Sequence, residues 1–297
     1  MSPHHQFEPG SKSSLLLTLP LLIAAAWYLR GWIHLRSTSA SSVPAWRASS
    51  FFVGLFLVWT ASGSPLASYD HDLLTVHMIQ HLLLMTFAPA LLLMSEPLKA
   101  FWDTMPLFAQ RTFKAALGRP LVYRLGRIVT NPTLCWIVSA LTLIVWHTPT
   151  LFTIAMRSRI WHTVELAMFF GAGVLFWWPV VQPWPSVRTS PRWSILVYLF
   201  LATLPCDILS GFLVFSDRVA YPVYFSAPRM FGFSVLEDQQ CAAALMWTCV
   251  TLVYLLPAAI ISTKLLAPRA SHESQSVDLQ FSGSVLSPND SKSAGVL

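Results

Sequence analysis

Apolar runs of about twenty residues, separated by short polar stretches, dominate this chain. Seven of them, at roughly 15–35, 48–66, 73–94, 131–148, 160–181, 192–215 and 238–261, are long enough to cross ~30 Å of hydrocarbon as helices. The second is the weakest, interrupted by Ser62, Gly63, Ser64 and Pro65. No polar stretch between runs is long enough to bury a core of its own. The pattern therefore predicts an all-α, polytopic membrane helix bundle of about seven transmembrane helices over residues 15–267. Residues 1–14 and 268–297 lack apolar periodicity and read as disordered tails, the second one cytoplasmic.

Composition agrees with a bilayer setting. The 297 residues are 55% hydrophobic and 11% charged, where a soluble domain carries about 25% charged residues. The first run, with Ala24, Ala25 and Ala26, resembles a signal peptide, but its charges are reversed. Only Lys12 precedes it, while Arg30, Arg36 and Arg47 follow, so an uncleaved first span is expected. Cys135, Cys206, Cys241 and Cys249 all fall within predicted spans and form no CxxC pattern, which argues against a disulfide framework.

The net charge of +6 describes topology rather than nucleic-acid binding. With the N-terminus outside, fourteen Lys and Arg residues fall on cytoplasmic segments and five on outer ones. That count favours N-out, C-in. In this orientation nearly every membrane-associated His or acid maps to the outer half of the bundle, and the inner half offers no comparable group.

The sharpest feature is "HMIQHLLLM", residues 77 to 85. On a helix, steps of four residues are ~40° apart, so His77, His81 and Met85 share a stripe. Ionisable side chains within a membrane are costly and mark sites or pathways. An i, i+4 His pair can chelate one metal, and a thioether such as Met85 suits copper(I). The competing reading is polar glue between helices, at about 1 kcal/mol per contact. His147, in "WHTPTL", lies at the same depth. His162 and Glu165, in "WHTVEL", are three apart, so the carboxylate would orient the imidazole. Asp207, beside Cys206, is placed within span six. Asp238, in "LEDQQCAAALMW", is a secondary candidate that could instead cap the N-terminus of span seven. Asp70, His71 and Asp72 are expected to be exposed and dispensable, although an outer loop that acquires metal would have this composition. The pair Trp177 and Trp178 reads as part of an interfacial belt. No nucleophile with a paired base, glycine-rich phosphate loop or HExxH motif is present, so enzymatic chemistry is not expected.

Four stretches, "HMIQHLLLMTFAPALLLMSEPL", "WHTPTLFTIAM", "WHTVELAMFFGAGVLFWWPV" and "LEDQQCAAALMW", resemble the CtaG family of bacterial cytochrome c oxidase assembly factors. The resemblance covers residues 70 to 260 and implies a seven-span protein of the bacterial cell (inner) membrane that supplies copper during oxidase maturation. It implies cytochrome c oxidase subunits, the lipid bilayer and an extracytoplasmic copper chaperone as partners, and a transient copper site at the outer His cluster. The metal ligands would be His77, His81, His147 and His162, with Met85, Glu165, Asp207, Asp238 and Met246 in secondary roles. Family members commonly carry a second His directly after the glutamate of the fifth span, where this chain has Leu166. Two alternatives remain open at this point. One is a transporter of copper or another small solute, which needs a polar path through the inner half. The other is a haem-binding membrane protein, which needs facing His residues such as His81 and His162.

Overall fold

A computed structural model describes residues 12–38, 44–129, 131–182, 191–228 and 232–266. The two expected tails lie almost wholly outside these residues, although helix already begins at Lys12. The described residues contain helices and turns and no strand. The first two helices are α1 (Lys12–Thr38) and α2 (Ala45–Ser62). α2 stops at the residues that weaken its pattern: Gly63 caps it and a 3-10 turn follows at Pro65–Tyr69.

The third apolar run is one span made of α3 (Leu74–Leu82), a π-helical turn (Leu83–Phe87) and α4 (Ala88–Met94). Pro89 accounts for the π-turn. Its ring has no N–H to give the Met85 carbonyl four residues back and crowds that carbonyl, so the ladder widens there. The Ala88 N–H donates to Leu83, five residues earlier. Gly173 fits against the result, since a Cβ there would collide with the Met85 carbonyl.

The polar stretch expected between spans three and four folds into three short helices, α5 (Pro97–Thr104), α6 (Leu107–Leu117) and α7 (Pro120–Val129). Arg47 clamps the turn before them, with a bidentate ion pair to Glu96 at 2.8 and 2.9 Å. A small apolar cluster of Tyr28, Leu35, Ala48, Phe51 and Ala100 joins α1, α2 and α5. The remaining helices are α8 (Pro132–Trp146), α9 (Pro149–Arg157), α10 (Arg159–Val181), α11 (Arg192–Phe215) and α12 (Val235–Leu266). They enclose the main core together with α3 and α4. Trp177, expected in the interfacial belt, is buried in this core against Phe176 and Tyr254.

Among the described residues, five helical segments are long and apolar enough to cross a membrane: Ala45–Tyr69, Leu74–Met94, Arg159–Val181, Trp193–Phe215 and Val235–Leu266. The pair α8 and α9, bent by 73°, makes a sixth if the two together count as one span. The expected fourth span does end at Trp146, where Pro149 stops the helix, but the chain turns and continues as α9 instead of leaving the bundle directly. The first expected run forms α1, a 27-residue helix outside this set.

Candidate metal centre

The ends of α2, α8 and α11 and the starts of α3, α10 and α12 meet at one end of the bundle. Side chains stitch them together. Asp238, at the start of α12, caps α3: its carboxylate accepts from the N–H groups of Leu74 (2.6 Å) and Thr75 (3.1 Å) and from the Thr75 hydroxyl (2.6 Å). The sequence suggests a cap for its own helix, whereas the carboxylate caps a neighbouring one; Asp238 falls in neither metal-capable group found among the described residues. The cap of α12 is a reciprocal pair instead, in which the Ser234 N–H donates to Glu237 and the Glu237 N–H to the Ser234 hydroxyl. Tyr221 donates to the His147 carbonyl and Tyr224 to the Asp70 carbonyl. Gln239, on α12, accepts from the Ala220 N–H and donates to the carbonyls of Leu213 and Arg218.

This scaffold brings His77 and His81 from α3 against Glu165 from α10. The Glu165 Oε1 atom is 3.7 Å from His77 Nε2 and 3.6 Å from His81 Nε2. All three side chains are buried, and the ligand atoms lie within 4.8 Å of one another. Both nitrogens of each imidazole and both oxygens of the carboxylate lack a hydrogen-bond partner. Phe152 packs beside His77 and Phe169 stacks on His81 at 3.9 Å, so the surroundings are apolar. A carboxylate held this way is costly while charged unless a proton or a cation neutralises it, and the convergence of two imidazoles on it makes a cation site geometrically feasible. The separations suit such a site: two ligand atoms each ~2.1 Å from one tetrahedral ion lie about 3.4 Å apart.

A second group sits next to it. Asp70, His71 and His162 also place ligand atoms within 4.8 Å of one another. His162 Nε2 is 3.4 Å from Asp70 Oδ2, and His71 Nε2 is 3.7 Å from Asp70 Oδ1. The expected pairing of His162 with Glu165 is therefore replaced: the two residues share a helix but serve different groups. Asp70, expected to be exposed, is 3% exposed and accepts from Gln80.

His147 and the thioethers form a third feature. The His147 Nδ1–H donates to the Leu143 carbonyl at 2.8 Å, so in the neutral ring Nε2 carries a lone pair. That lone pair points at Met78 Sδ, 3.4 Å away. Both border a cavity of about 40 Å³, along with His81, Met85, Cys206 and Met246. Space of that size holds about three or four water-sized occupants, at roughly 10–15 Å³ each. Met78 lies one residue off the stripe of His77, His81 and Met85, so that pattern does not single it out. Its own i, i+7 relation to Met85 was the available signal. Asp207, half-buried on α11, belongs to neither metal-capable group found among the described residues.

The family model for the cytochrome c oxidase caa3 assembly factor (Caa3_CtaG) matches residues 26–267. The chain belongs to this family. That span takes in every helix of the site. Similar curated proteins include uncharacterised proteins of Mycobacterium bovis and Mycobacterium tuberculosis, each 25% identical over 240 residues, covering 76% of this chain and 35% of the relative. A protein of Mycobacterium leprae, also uncharacterised, is 23% identical over 267 residues, covering 87% of this chain and 39% of the relative. The chain thus spans little more than a third of the length of the curated relatives it matches. No solved structure matches.

Proposed function

We propose that this caa3 assembly factor is a non-catalytic, multi-pass protein of the bacterial inner membrane that holds copper at His77, His81 and Glu165 and hands it to a cytochrome c oxidase subunit. In this reading the N-terminus and the His-rich end face outward, where an extracytoplasmic copper chaperone is the source of the ion. The carrying observation is that the six side-chain nitrogens and oxygens of His77, His81 and Glu165 are buried without hydrogen-bond partners, and that one atom from each residue converges at a spacing suited to one ion. Two imidazoles and one carboxylate leave a tetrahedral ion one open position. An open site suits a carrier, which must release its cargo. Leu166, where relatives commonly have His, leaves the ligand number at three and favours release further.

The test is copper stoichiometry of the purified protein under reducing conditions, together with oxidase activity in cells. Wild type should bind copper, and the double change His77→Ala, His81→Ala should lose the buried equivalent and lower oxidase activity while still inserting stably. A double variant that binds as much copper as wild type sinks the proposal. A variant that loses oxidase activity without any difference in copper would recast the cluster as a docking or structural feature.

A further inference from the structure

The two metal-capable groups and the His147–Met78 pair are not isolated. The ring centroids of His71 and His162 are 5.8 Å apart, those of His162 and His77 5.6 Å, those of His77 and His81 4.3 Å, and those of His81 and His147 5.7 Å. Five imidazoles thus form a continuous series. Exposure falls over its first three members, from 35% for the side chain of His71 to 12% for His162 and 0% for His77, and stays low at His81 and His147. Donor chemistry changes in the same direction. The series begins with one carboxylate and two imidazoles at Asp70, His71 and His162, passes through His77, His81 and Glu165, and ends with an imidazole lone pair facing a thioether in a cavity bordered by further sulfur.

We infer that these histidines are a relay that carries one copper ion from Asp70, His71 and His162, through the buried cluster, to a terminal monovalent-copper site at His147 and Met78. The inference rests on the reading of His77, His81 and Glu165 as a copper site, and adds a receiving station and a terminal one. At the receiving station, Asp70 Oδ1 and His162 Nε2 are buried atoms with no hydrogen-bond partner, and both belong to the group whose ligand atoms converge. The terminus has a geometric argument of its own. Nε2 of the neutral His147 ring and Met78 Sδ are both acceptors, so no hydrogen stands between them. Ligand atoms at ~2.0 Å for nitrogen and ~2.3 Å for sulfur on one tetrahedral ion lie about 3.5 Å apart, and this pair is 3.4 Å apart. Thioether and imidazole together select copper(I) over harder divalent ions. Neighbouring stations share surroundings and similar donors, so a step between them exchanges one ligand at a time and never strips the ion bare in an apolar interior.

The full-length protein in detergent micelles, loaded with one equivalent of copper(I), provides the test. X-ray absorption should show sulfur in the copper shell at ~2.3 Å, the usual metal–sulfur distance. Met78→Leu conserves volume and should lose part of that sulfur shell or at least tenfold in copper(I) affinity; His147→Gln, which removes the other terminal ligand, should lose affinity in the same way should the first variant fold poorly. In stopped-flow capture of copper(I) from a chromophoric chelator, His71→Ala should be at least tenfold slower while the final sulfur-ligated product is unchanged. A wild-type shell of nitrogen and oxygen alone overturns the inference, and so does capture by His71→Ala at the wild-type rate. Those outcomes are separate from failure of the copper site itself, which would show as full binding by the double change at His77 and His81.

Discussion

Asp238 and Glu165 are both buried acids at the same end of the bundle, yet their surroundings assign them different work. Asp238 uses its oxygens on the first two N–H groups of α3 and on the Thr75 hydroxyl. It is a cap supplied by another helix, and it sets where α3 begins and so the height of His77 and His81. Replacing a capping acid by Ala costs ~1–2 kcal/mol. Asp238→Ala should therefore lower the thermal midpoint in detergent while folded protein at lower temperature keeps its copper stoichiometry. Glu165 is the converse case, with neither oxygen hydrogen-bonded. Glu165→Gln keeps the shape, removes the charge and should weaken copper binding at least tenfold with little change in thermal midpoint, since the amide brings donors to two neighbouring imidazoles. A titration of the two variants side by side would separate scaffold from ligand. Sequence spacing could not make this distinction. It gave the i, i+3 relation of His162 and Glu165, but the partner of each residue lies on another element, Asp70 for one and α3 for the other.

At the scale of elements, hydropathy located the helices well and their interruptions less well. The run at 73–94 is one span as expected, but the π-turn changes the angular step after Leu82, so the α-helical stripe does not extend simply to Met85. His81 both faces Glu165 and borders the cavity with Met85, whereas His77 faces Glu165 and does not border the cavity. Pro89 was the legible warning, since a proline inside an apolar span must disturb the ladder four residues earlier. The contact with Gly173 makes the turn part of the packing. A side chain there must push α10 away from the Met85 carbonyl, and overpacking of this kind costs about 1–3 kcal/mol. Gly173→Val should lower the thermal midpoint and also reduce copper affinity, because α10 carries both Glu165 and His162. A variant with wild-type midpoint and affinity would show that α10 can shift freely. The amphipathic helices α5, α6 and α7 were read as a polar loop because each is short and half-apolar. A window sized for a bilayer averages such a pattern away.

Over the whole molecule, every group assigned to the site comes from one end of the bundle, so the direction in which that end points decides whether the copper reading is physically sensible. The helices alone do not set that direction, and the distribution of basic residues is what predicts it. Under N-out topology the segment carrying α5, α6 and α7 is cytoplasmic and holds Lys99, Arg111, Lys114, Arg119, Arg124 and Arg127, whereas the segment from Gly63 to Leu73 that carries Asp70 and His71 holds no Lys or Arg. Short loops rich in Lys and Arg are retained on the cytoplasmic side, so the two segments should face opposite compartments. A single cysteine placed at His71, in a background with the four native cysteines replaced, should react in intact spheroplasts with a membrane-impermeant maleimide. One placed at Arg119, at the turn between α6 and α7, should react only after the membrane is permeabilised. The reverse pattern would put the receiving end of the relay in the cytoplasm. It would then exclude an extracytoplasmic chaperone as the source of copper, whatever the stoichiometry of the buried cluster.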